Sequence, residues 1–297
     1  MTIVSRIAMA STRGRVGTAI VALLATGLLA GCASSAASAP DLEALEPPEV
    51  APEVATLAIL GDSMSLGVNA CGEQGQCAAA SWSGGSDPAV GSVALRLAVA
   101  SGIEPDVVNA AKDGGDVQDA LDRVDEVIQA QPQLVTVLLG GNDACGPTLD
   151  DMTTAADYEA GLGALFARLN AEVPDATIVV MSVPDLYHLW EIGHDNPQAV
   201  ALWNSSPSCK NLLGAADDAS PEATARRDAV AARVDEYNAA IVRACAAAQG
   251  CIDDDGAVFA YDFSPDEISA IDFFHPSVAG QRAIAEIAWN ALEGGTT

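Results

Sequence analysis

Apolar runs alternate with segments of helical period along most of the chain. Five runs have the composition of buried strands: 56–61, 105–110, 133–140, 176–182 and a weaker one at 257–261. Apolar residues recur at helical spacing in five other segments: 89–102, 117–130, 155–172, 222–249 and 277–292. Continuous apolar strands that alternate with helices are typical of a parallel sheet covered on both faces. The pattern therefore predicts an α/β protein, a three-layer α/β/α sandwich with a central, mostly parallel five-stranded sheet.

Polar, glycine-rich turns follow three of the predicted strands. They read GDS at 61–63, NAAKDGG at 109–115 and GGND at 140–143. Since ligands bind beyond the carboxyl ends of the strands in such sheets, we expect the three turns to meet at one edge. Gly, Asp and Ser are also the ordinary residues of turns, so a single GDS triplet does not identify a nucleophile.

A fourth polar motif, DFFHP at 272–276, precedes the last predicted helix. Pro276 suits a first helical position, which predicts that His275 stands at the helix entry and faces the sheet edge. Asp272 can accept a hydrogen bond from one ring nitrogen of His275, so that the other nitrogen can take the proton of a serine. Together with the turns, this motif predicts a catalytic set of Ser63, His275 and Asp272.

The four motifs together resemble the four short blocks of the SGNH, or GDSL, hydrolases. The blocks supply a Ser, a Gly, an Asn and a His, which match the following residues in the family's order: Ser63, Gly114, Asn142 and His275. Met64 stands where the family usually has Leu, a conservative departure. The resemblance, closest to secreted actinobacterial members, implies a serine esterase or lipase that hydrolyses carboxylic esters without a cofactor.

The resemblance also implies an oxyanion hole. In the family it is formed by the backbone N–H groups of the Ser and the Gly and by the Asn side-chain amide, here Ser63, Gly114 and Asn142. Gly115 is adjacent to Gly114 and could serve instead; we select Gly114 by its distance from Asn109. Without a side chain, a glycine backbone can approach the substrate closely.

Other activities compete with this interpretation. An α/β-hydrolase elbow requires G-x-S-x-G, but Ser63 is followed by Met64 and Ser65. A non-catalytic envelope lipoprotein that binds a lipid or glycan in the same cleft, or a deacetylase of acetylated glycans, stays open, as do the natural substrate and its acyl chain length. We interpret Asp62 and Asp143 as structural acceptors that tie neighbouring loops together.

The N-terminus has the pattern of a bacterial lipoprotein signal peptide, predicted over 1–31. Residues 1–15 carry three arginines and no acid, and the apolar run at 16–30 is shorter than the roughly 20 residues that span a bilayer. The sequence LAGC at 29–32 resembles a lipobox, in which Cys32 becomes the lipidated first residue. We therefore predict export and a lipid anchor on the outer face of the cytoplasmic membrane, with cleavage at a nearby Ala and secretion as the alternative.

The rest of the chain divides into a linker and one domain. Residues 32–54 begin with the lipidated Cys and continue as a flexible acidic linker rich in Ala, Pro and Glu, which leaves 55–297 as the hydrolase domain. The chain has 13 Lys and Arg against 41 Asp and Glu, a net charge of −28. This charge excludes nucleic acid as a partner and repels an anionic lipid surface. We expect a monomer whose partners are an ester substrate and the membrane that holds its anchor.

The domain contains six cysteines: Cys71, Cys77, Cys145, Cys209, Cys245 and Cys251. An even number in an exported chain indicates disulfides. Sequence proximity favours Cys71 with Cys77 and Cys245 with Cys251, leaving Cys145 for Cys209. No pair has the two-residue spacing of a zinc site and no His lies close by, so we expect no metal.

A segment of nearly forty residues, 184–220, separates the fourth predicted strand from the next helix. It holds five of the chain's aromatic or His residues: Tyr187, His188, Trp190, His194 and Trp203. Long loops in compact domains are commonly functional, so the segment is expected either to cover the active-site edge or to be a stabilising excursion pinned by Cys209. We interpret its two histidines as surface residues.

Overall fold

The computed structural model describes Pro40, Leu42 and residues 53–294. The predicted signal peptide, Cys32 and most of the predicted linker lie outside the described residues. Val54 is buried and the first strand starts two residues later, close to the predicted start of the domain. Of the helices in this part of the chain, none is long and apolar enough to cross a membrane.

Five strands form a single parallel sheet in the order β2-β1-β3-β4-β5. They are β1 (Thr56–Gly61), β2 (Asp106–Asn109), β3 (Leu134–Leu138), β4 (Thr177–Val180) and β5 (Cys251–Asp253). In β1, Ile59 pairs with Asn109 on one side and with Thr136 on the other. The strand order therefore reverses at β1: β2 is added on one side of it, and β3, β4 and β5 follow on the other. The turns after β1, β2 and β3 emerge side by side.

Helices cover both faces of this sheet and confirm the three-layer α/β/α architecture. The helices of the described part are α1 (Val93–Ser101), α2 (Val117–Ala130), α3 (Gly141–Ala144), α4 (Ala155–Glu172), α5 (Leu186–Gly193), α6 (Pro197–Ser205), α7 (Lys210–Leu213), α8 (Pro221–Ala247) and α9 (Val278–Gly294). Polar caps start the long ones: the side chains of Asp116, Thr154 and Ser220 accept backbone N–H bonds at the first turns of α2, α4 and α8. The sequence periodicity predicts α2 and α4 with the bounds observed.

Two apolar cores hold the layers together. Alternate residues of β1 point to opposite faces, so Leu57 and Ile59 enter one core, while Ala58 and Leu60 enter the other. The first core also contains side chains of α1 and α9, including the fully buried Trp289. The second packs β3 and β4 against α2, α4 and α8. Each fully buried large apolar side chain contributes about 1.5–3 kcal/mol, so these cores fix the sheet edge that carries the polar turns.

The fifth strand is not where the sequence pattern predicts it. The prediction at 257–261 is wrong: β5 is the three-residue segment before it, and 257–261 forms a turn. Asp254, which is buried, causes this, because its carboxylate accepts hydrogen bonds from the Val258 N–H at 2.9 Å and the Ser182 hydroxyl at 2.8 Å. These bonds stabilise a turn, and the Val258 side chain packs in the core.

Three disulfides link the fold: Cys71–Cys77, Cys145–Cys209 and Cys245–Cys251. This is the pairing that sequence proximity favours. Cys245 lies near the end of α8 and Cys251 begins β5, so their disulfide fastens the shortest strand to the helix before it.

The long segment 184–220 carries α5, α6 and α7 and is fastened to α8. The guanidinium of Arg227, which is fully buried, donates to the carbonyls of Ala215 at 2.8 Å and Asp218 at 2.9 Å. The same group lies 4.2 Å over the ring of Trp190, a cation–π contact. Arg227 therefore connects the end of the segment to its first helix.

Candidate active site

Ser63 lies two residues beyond the end of β1 and is buried at the base of a cleft. Its carbonyl accepts hydrogen bonds from the N–H groups of Leu66 at 3.2 Å and Val68 at 3.0 Å, which close a tight turn. A Cβ on Gly61 would lie 2.3 Å from the hydroxyl oxygen of Ser65, so only glycine lets the turn fold back against the strand. The local sequence thus presents the Ser63 hydroxyl at the sheet edge.

The structure brings Ser63, His275 and Asp272 into one hydrogen-bonded chain. His275 Nε2 lies 2.8 Å from Ser63 Oγ across 212 residues of sequence, and His275 Nδ1 lies 2.5 Å from Asp272 Oδ2. The other carboxylate oxygen of Asp272 accepts the backbone N–H groups of Phe274 at 3.0 Å and His275 at 3.1 Å. Asp272 therefore orients the imidazole so that its second nitrogen faces the serine.

A compact loop, rather than a helix entry, holds His275. The placement of Pro276 at the first position of the last helix is wrong, because α9 begins at Val278. The Ser277 hydroxyl accepts the N–H of Ala279 at 3.2 Å at the start of this helix. Pro276 instead forms an isolated antiparallel bridge with Ile268, which closes the loop around the histidine.

Asp272 has a further partner that sequence reasoning missed. Asn69, which is buried, donates its side-chain Nδ2–H to Asp272 Oδ2 at 2.7 Å. Burial alone would raise the pKa of Asp272, but the hydrogen bond and positive charge of His275, together with the Asn69 and Phe274 bonds, hold that pKa below its ordinary value. The carboxylate is therefore kept ionised. No motif signals Asn69 in the sequence, because it lies 203 residues from Asp272.

Three hydrogen-bond donors converge on the same cleft as Ser63. Within the described part of the chain, neither the Ser63 N–H nor the Gly114 N–H has an acceptor, whereas the Gly115 N–H donates to Lys112 O at 2.9 Å. The Asn142 side-chain amide donates to Gly115 O at 2.9 Å and makes a longer contact, 3.5 Å, with Asp62 Oδ2. Gly114 has a φ of 71° with open space where a Cβ would stand. Of the two adjacent glycines, Gly114 therefore has the available donor.

Two buried carboxyl groups flank these loops. The carboxylate of Asp143 accepts the N–H of Val117 at 3.2 Å, which ties the third turn to the start of α2. Asp62 accepts the N–H of Met64 at 2.9 Å within its own turn. Burial is the main cause that raises the pKa of Asp143 to about 7 and that of Asp62 to about 6. Both groups are acceptors between or within loops.

Two pockets open on either side of Ser63 and His275. The first is narrow, with a cavity volume of about 60 Å³, and has mostly apolar walls, contributed by Met64, Leu186, Leu189, Ile192, Phe263, Ile268 and Phe274. The second is wider, with a cavity volume of about 410 Å³, and is more polar; its walls include Asp113, Gly114, Ser206, Ser208 and the Cys145–Cys209 disulfide. The ends of an ester bound at Ser63 would meet different surroundings.

The segment 184–220 supplies walls of both pockets. Leu186, Leu189 and Ile192 on α5 line the first, and residues 202–209 after and within α6 line much of the second. His188, which is half-buried, lies 2.9 Å from the carbonyl of Phe263. The segment covers the active-site edge and is also pinned by Cys209, so both expectations for it describe part of its structure.

Asn211 in α7 also fastens this segment to the rest of the domain. Its buried side chain donates to Ala144 O at 2.7 Å and accepts from the Gly146 N–H at 3.1 Å. The Cys145–Cys209 disulfide joins the same two stretches. The turn that carries Asn142 is thus held from its far side by the long segment.

The described residues contain no group of three or more His, Cys, Asp or Glu that could hold a metal ion. The arrangement at Ser63 consists of a hydroxyl, an oriented imidazole, a carboxylate and free N–H donors. Such a set can form and stabilise a tetrahedral intermediate at a carbonyl carbon.

Comparison with known proteins identifies the family. The GDSL-like lipase/acylhydrolase family matches residues 59–283, which is most of the chain. No curated protein matches the sequence.

Solved structures share the fold at low sequence identity. A lipase/acylhydrolase from Enterococcus faecalis is 20% identical, with a TM-score of 0.50 over 81% of this chain and 96% of that one. A putative GDSL-like lipase from Parabacteroides merdae is 18% identical, with a TM-score of 0.50 over 85% of this chain and 99% of that one. A variant of an acetyl xylan esterase from Geobacillus stearothermophilus is 20% identical, with a TM-score of 0.50 over 80% and 94%. The family match and the shared fold lead to one conclusion: the chain belongs to the GDSL-like lipase/acylhydrolase family and is a hydrolase that acts on ester bonds.

Proposed function

We propose that the protein is a serine carboxylesterase in which Ser63 is the nucleophile, His275 the general base and acid, and Asp272 the acid that orients and stabilises the imidazolium. The observation that carries this proposal is the hydrogen-bonded chain from Ser63 Oγ to His275 Nε2, and from His275 Nδ1 to Asp272. A serine hydroxyl is a weak nucleophile until an adjacent base takes its proton, and the 2.8 Å contact provides that base.

The reaction proceeds through an acyl-enzyme. Ser63 Oγ attacks the ester carbonyl carbon while its proton passes to His275 Nε2, and the carbonyl oxygen becomes an oxyanion. The N–H groups of Ser63 and Gly114 and the amide of Asn142 stabilise that oxyanion. As the tetrahedral intermediate collapses, His275 returns the proton to the leaving alcohol. A water then attacks the acyl-enzyme by the same steps and releases the carboxylic acid and free Ser63.

The two pockets favour an ester with unlike ends. The apolar walls of the first pocket suit a hydrocarbon group, whose transfer from water is favourable by about 0.8 kcal/mol for each buried CH₂. The wider and more polar second pocket suits the other half of the ester. A chain-length series of model esters distinguishes an ester with a hydrocarbon chain from an acetylated glycan, because an acetyl group has only one methyl to bury in the apolar pocket.

The test of the proposed function is covalent labelling. A serine-reactive phosphonate should form one adduct on Ser63, located by peptide mass mapping, and should abolish ester hydrolysis. The Ser63→Ala variant should take no label and should hydrolyse no ester. Ser101→Ala is the matched control, because the Ser101 hydroxyl donates to the carbonyl of Leu97, accepts the N–H of Ile103 and lines neither pocket, so its loss should leave labelling unchanged. A wild-type protein that hydrolyses no ester and takes no label would instead support a lipoprotein that only binds its ligand.

The location of the enzyme is part of the proposal. The arginine-bearing N-terminus, the short apolar run and the LAGC sequence support export and lipidation of Cys32. Cys32→Ser should move the activity from the membrane fraction to the soluble fraction without changing kcat. An unchanged distribution of activity between the fractions contradicts the anchor.

A further inference from the structure

Asn69 hydrogen-bonds through both its side chain and its backbone beside the proposed catalytic acid. Its Nδ2–H donates to Asp272 Oδ2 at 2.7 Å, and this is the same oxygen that His275 Nδ1 contacts. Its backbone carbonyl accepts the hydroxyl of Ser269 at 2.6 Å. Asn69 is 8% exposed and has a φ of 58°, a left-handed conformation that asparagine tolerates better than most residues.

The orientation of the Asn69 amide is determined by Gly75. The Gly75 N–H donates to Asn69 Oδ1 at 2.8 Å, and the Asn69 N–H donates to Gly75 O at 2.8 Å. Because a backbone N–H can only donate, Oδ1 must face Gly75 and Nδ2 must face Asp272. The two bonds therefore aim the amide at the carboxylate.

The Cys71–Cys77 disulfide closes the loop that contains Gly75. The Cys77 N–H also donates to Gly67 O at 3.2 Å, in the turn that follows Ser63. Gly75 itself has a φ of 110°, and space is open where its Cβ would stand. The position of Gly75, and through it the Asn69 amide, depends on this small closed loop.

From these contacts we infer that Asn69 is a positioning residue for ester hydrolysis, acting through Asp272, and that the Cys71–Cys77 loop holds it in place. The inference rests on the proposed roles of Ser63, His275 and Asp272. A donor to the carboxylate limits the positions that Asp272 can occupy, and Asp272 in turn sets the angle of the imidazole. The disulfide therefore supports the chemistry as well as the fold.

Two substitutions at Asn69 test the role of its amide. Asn69→Gly removes the side chain while allowing the left-handed backbone, and should lower kcat about ten-fold or more with little change in KM. Asn69→Asp keeps an acceptor for the Gly75 N–H but places a carboxyl group against Asp272. When that group is ionised it repels Asp272, and when it is protonated it can donate as the amide does.

The pH dependence separates positioning from a merely structural role. The deficit of Asn69→Asp relative to the wild type should be largest on the alkaline plateau and should shrink as pH falls. Asp62 and Asp113, the other carboxyl groups that interact at this edge, are present in both proteins and cancel in the ratio. A wild-type kcat for folded Asn69→Gly, or a ratio for Asn69→Asp that does not change with pH, overturns the role of Asn69.

The role of the loop has a matched control in the chain. Cys71–Cys77 and Cys245–Cys251 both close loops with a sequence separation of 6. The double variant Cys71→Ser/Cys77→Ser should lower kcat several-fold, whereas Cys245→Ser/Cys251→Ser should lower the unfolding temperature but keep the wild-type kcat. Equal kcat values for the two double variants overturn the role of the loop. Phosphonate labelling of the wild type is measured alongside, because absence of a label on Ser63 would remove the proposed function itself.

Discussion

The side chain of Asn142 donates to the backbone carbonyl of Gly115 at 2.9 Å, so the third turn of the site is aimed by the second. Since Nδ2 carries two hydrogens, this bond fixes the amide, and the second hydrogen, which makes the longer 3.5 Å contact with Asp62 Oδ2, can turn to a developing oxyanion. The turn after β3 thus supplies the donor, and the turn after β2 orients it.

Asn142→Ala should lower kcat about 100-fold with little change in KM, because an oxyanion donor acts mainly in the transition state. Steady-state kinetics with a model ester measure this. Asn170→Ala is the control. Asn170 also donates its amide to a backbone carbonyl, that of Gln249 at 2.8 Å, but it lines neither of the two pockets at Ser63. A comparable loss in both variants would mean that the Asn142 effect is not specific.

Asp272 and His275 should behave as one unit. Asp272→Ala should reduce kcat less than His275→Ala, because the carboxylate acts through the imidazole. The double variant should match His275→Ala, since nothing remains for the carboxylate to orient. Kinetics on all three variants, with unfolding temperatures to confirm that each is folded, give the comparison. Additive losses in the double variant contradict the assignment of Asp272.

Leu189 should limit the length of the apolar group that the enzyme accepts. It is nearly buried on α5 and lines the apolar pocket. Leu189→Trp fills part of that pocket, so kcat/KM should fall for long-chain model esters and change little for acetate. Leu202→Trp places the same bulk in the second pocket, at a residue that is 41% exposed, and should not shorten the preferred acyl chain. An identical chain-length profile for wild type and Leu189→Trp would place the hydrocarbon elsewhere.

Asp143 should make the protein less stable as pH rises from about 4 to about 7. Burial, chiefly, raises its pKa from 3.8 to about 7, so in this window the folded state retains a proton that the unfolded state has lost. The free energy of unfolding then falls with pH, by up to about 1.4 kcal/mol per unit for one group. Asp143→Asn removes this contribution, so its stability should depend less steeply on pH.

Urea unfolding of wild type and Asp143→Asn at several pH values between about 4.5 and 7.5 measures the two slopes. Asp62, whose pKa burial raises to about 6, adds a slope of the same sign in both proteins. Asp272 has a lowered pKa and acts with the opposite sign, below this window. Parallel curves for the two proteins would show that Asp143 is ionised in the folded state.

The sequence predicts the sheet edge because the relevant signals are local and strong. Runs such as 133–140 are mostly apolar, and a parallel order makes the turns after them meet. Family resemblance then selects Ser63 and His275, which the structure places 2.8 Å apart. Periodicity also predicts α2 and α4, whose caps are ordinary Asp and Thr residues.

The remaining features depend on contacts distant in sequence. β5 has only one large apolar residue, Ile252, and its place is determined by a disulfide and by pairing with β4, whereas the more apolar 257–261 is drawn into a turn by Asp254. Asn69 contacts Asp272 across 203 residues, so no local pattern can identify it. Part of the walls of the two pockets comes from α5 and α6, whose positions depend on Arg227 and the Cys145–Cys209 disulfide.

The 212 residues between Ser63 and His275 have a consequence for synthesis. In the proposed mechanism the nucleophile leaves the ribosome early, just after the first strand of the sheet, while its base arrives only with the loop before the last helix. A nascent or prematurely terminated chain that lacks this loop contains Ser63 but nothing to remove its proton. By this mechanism, hydrolytic activity arises only once translation has reached the final helix, and incomplete chains cannot cleave the esters of the cell that makes them.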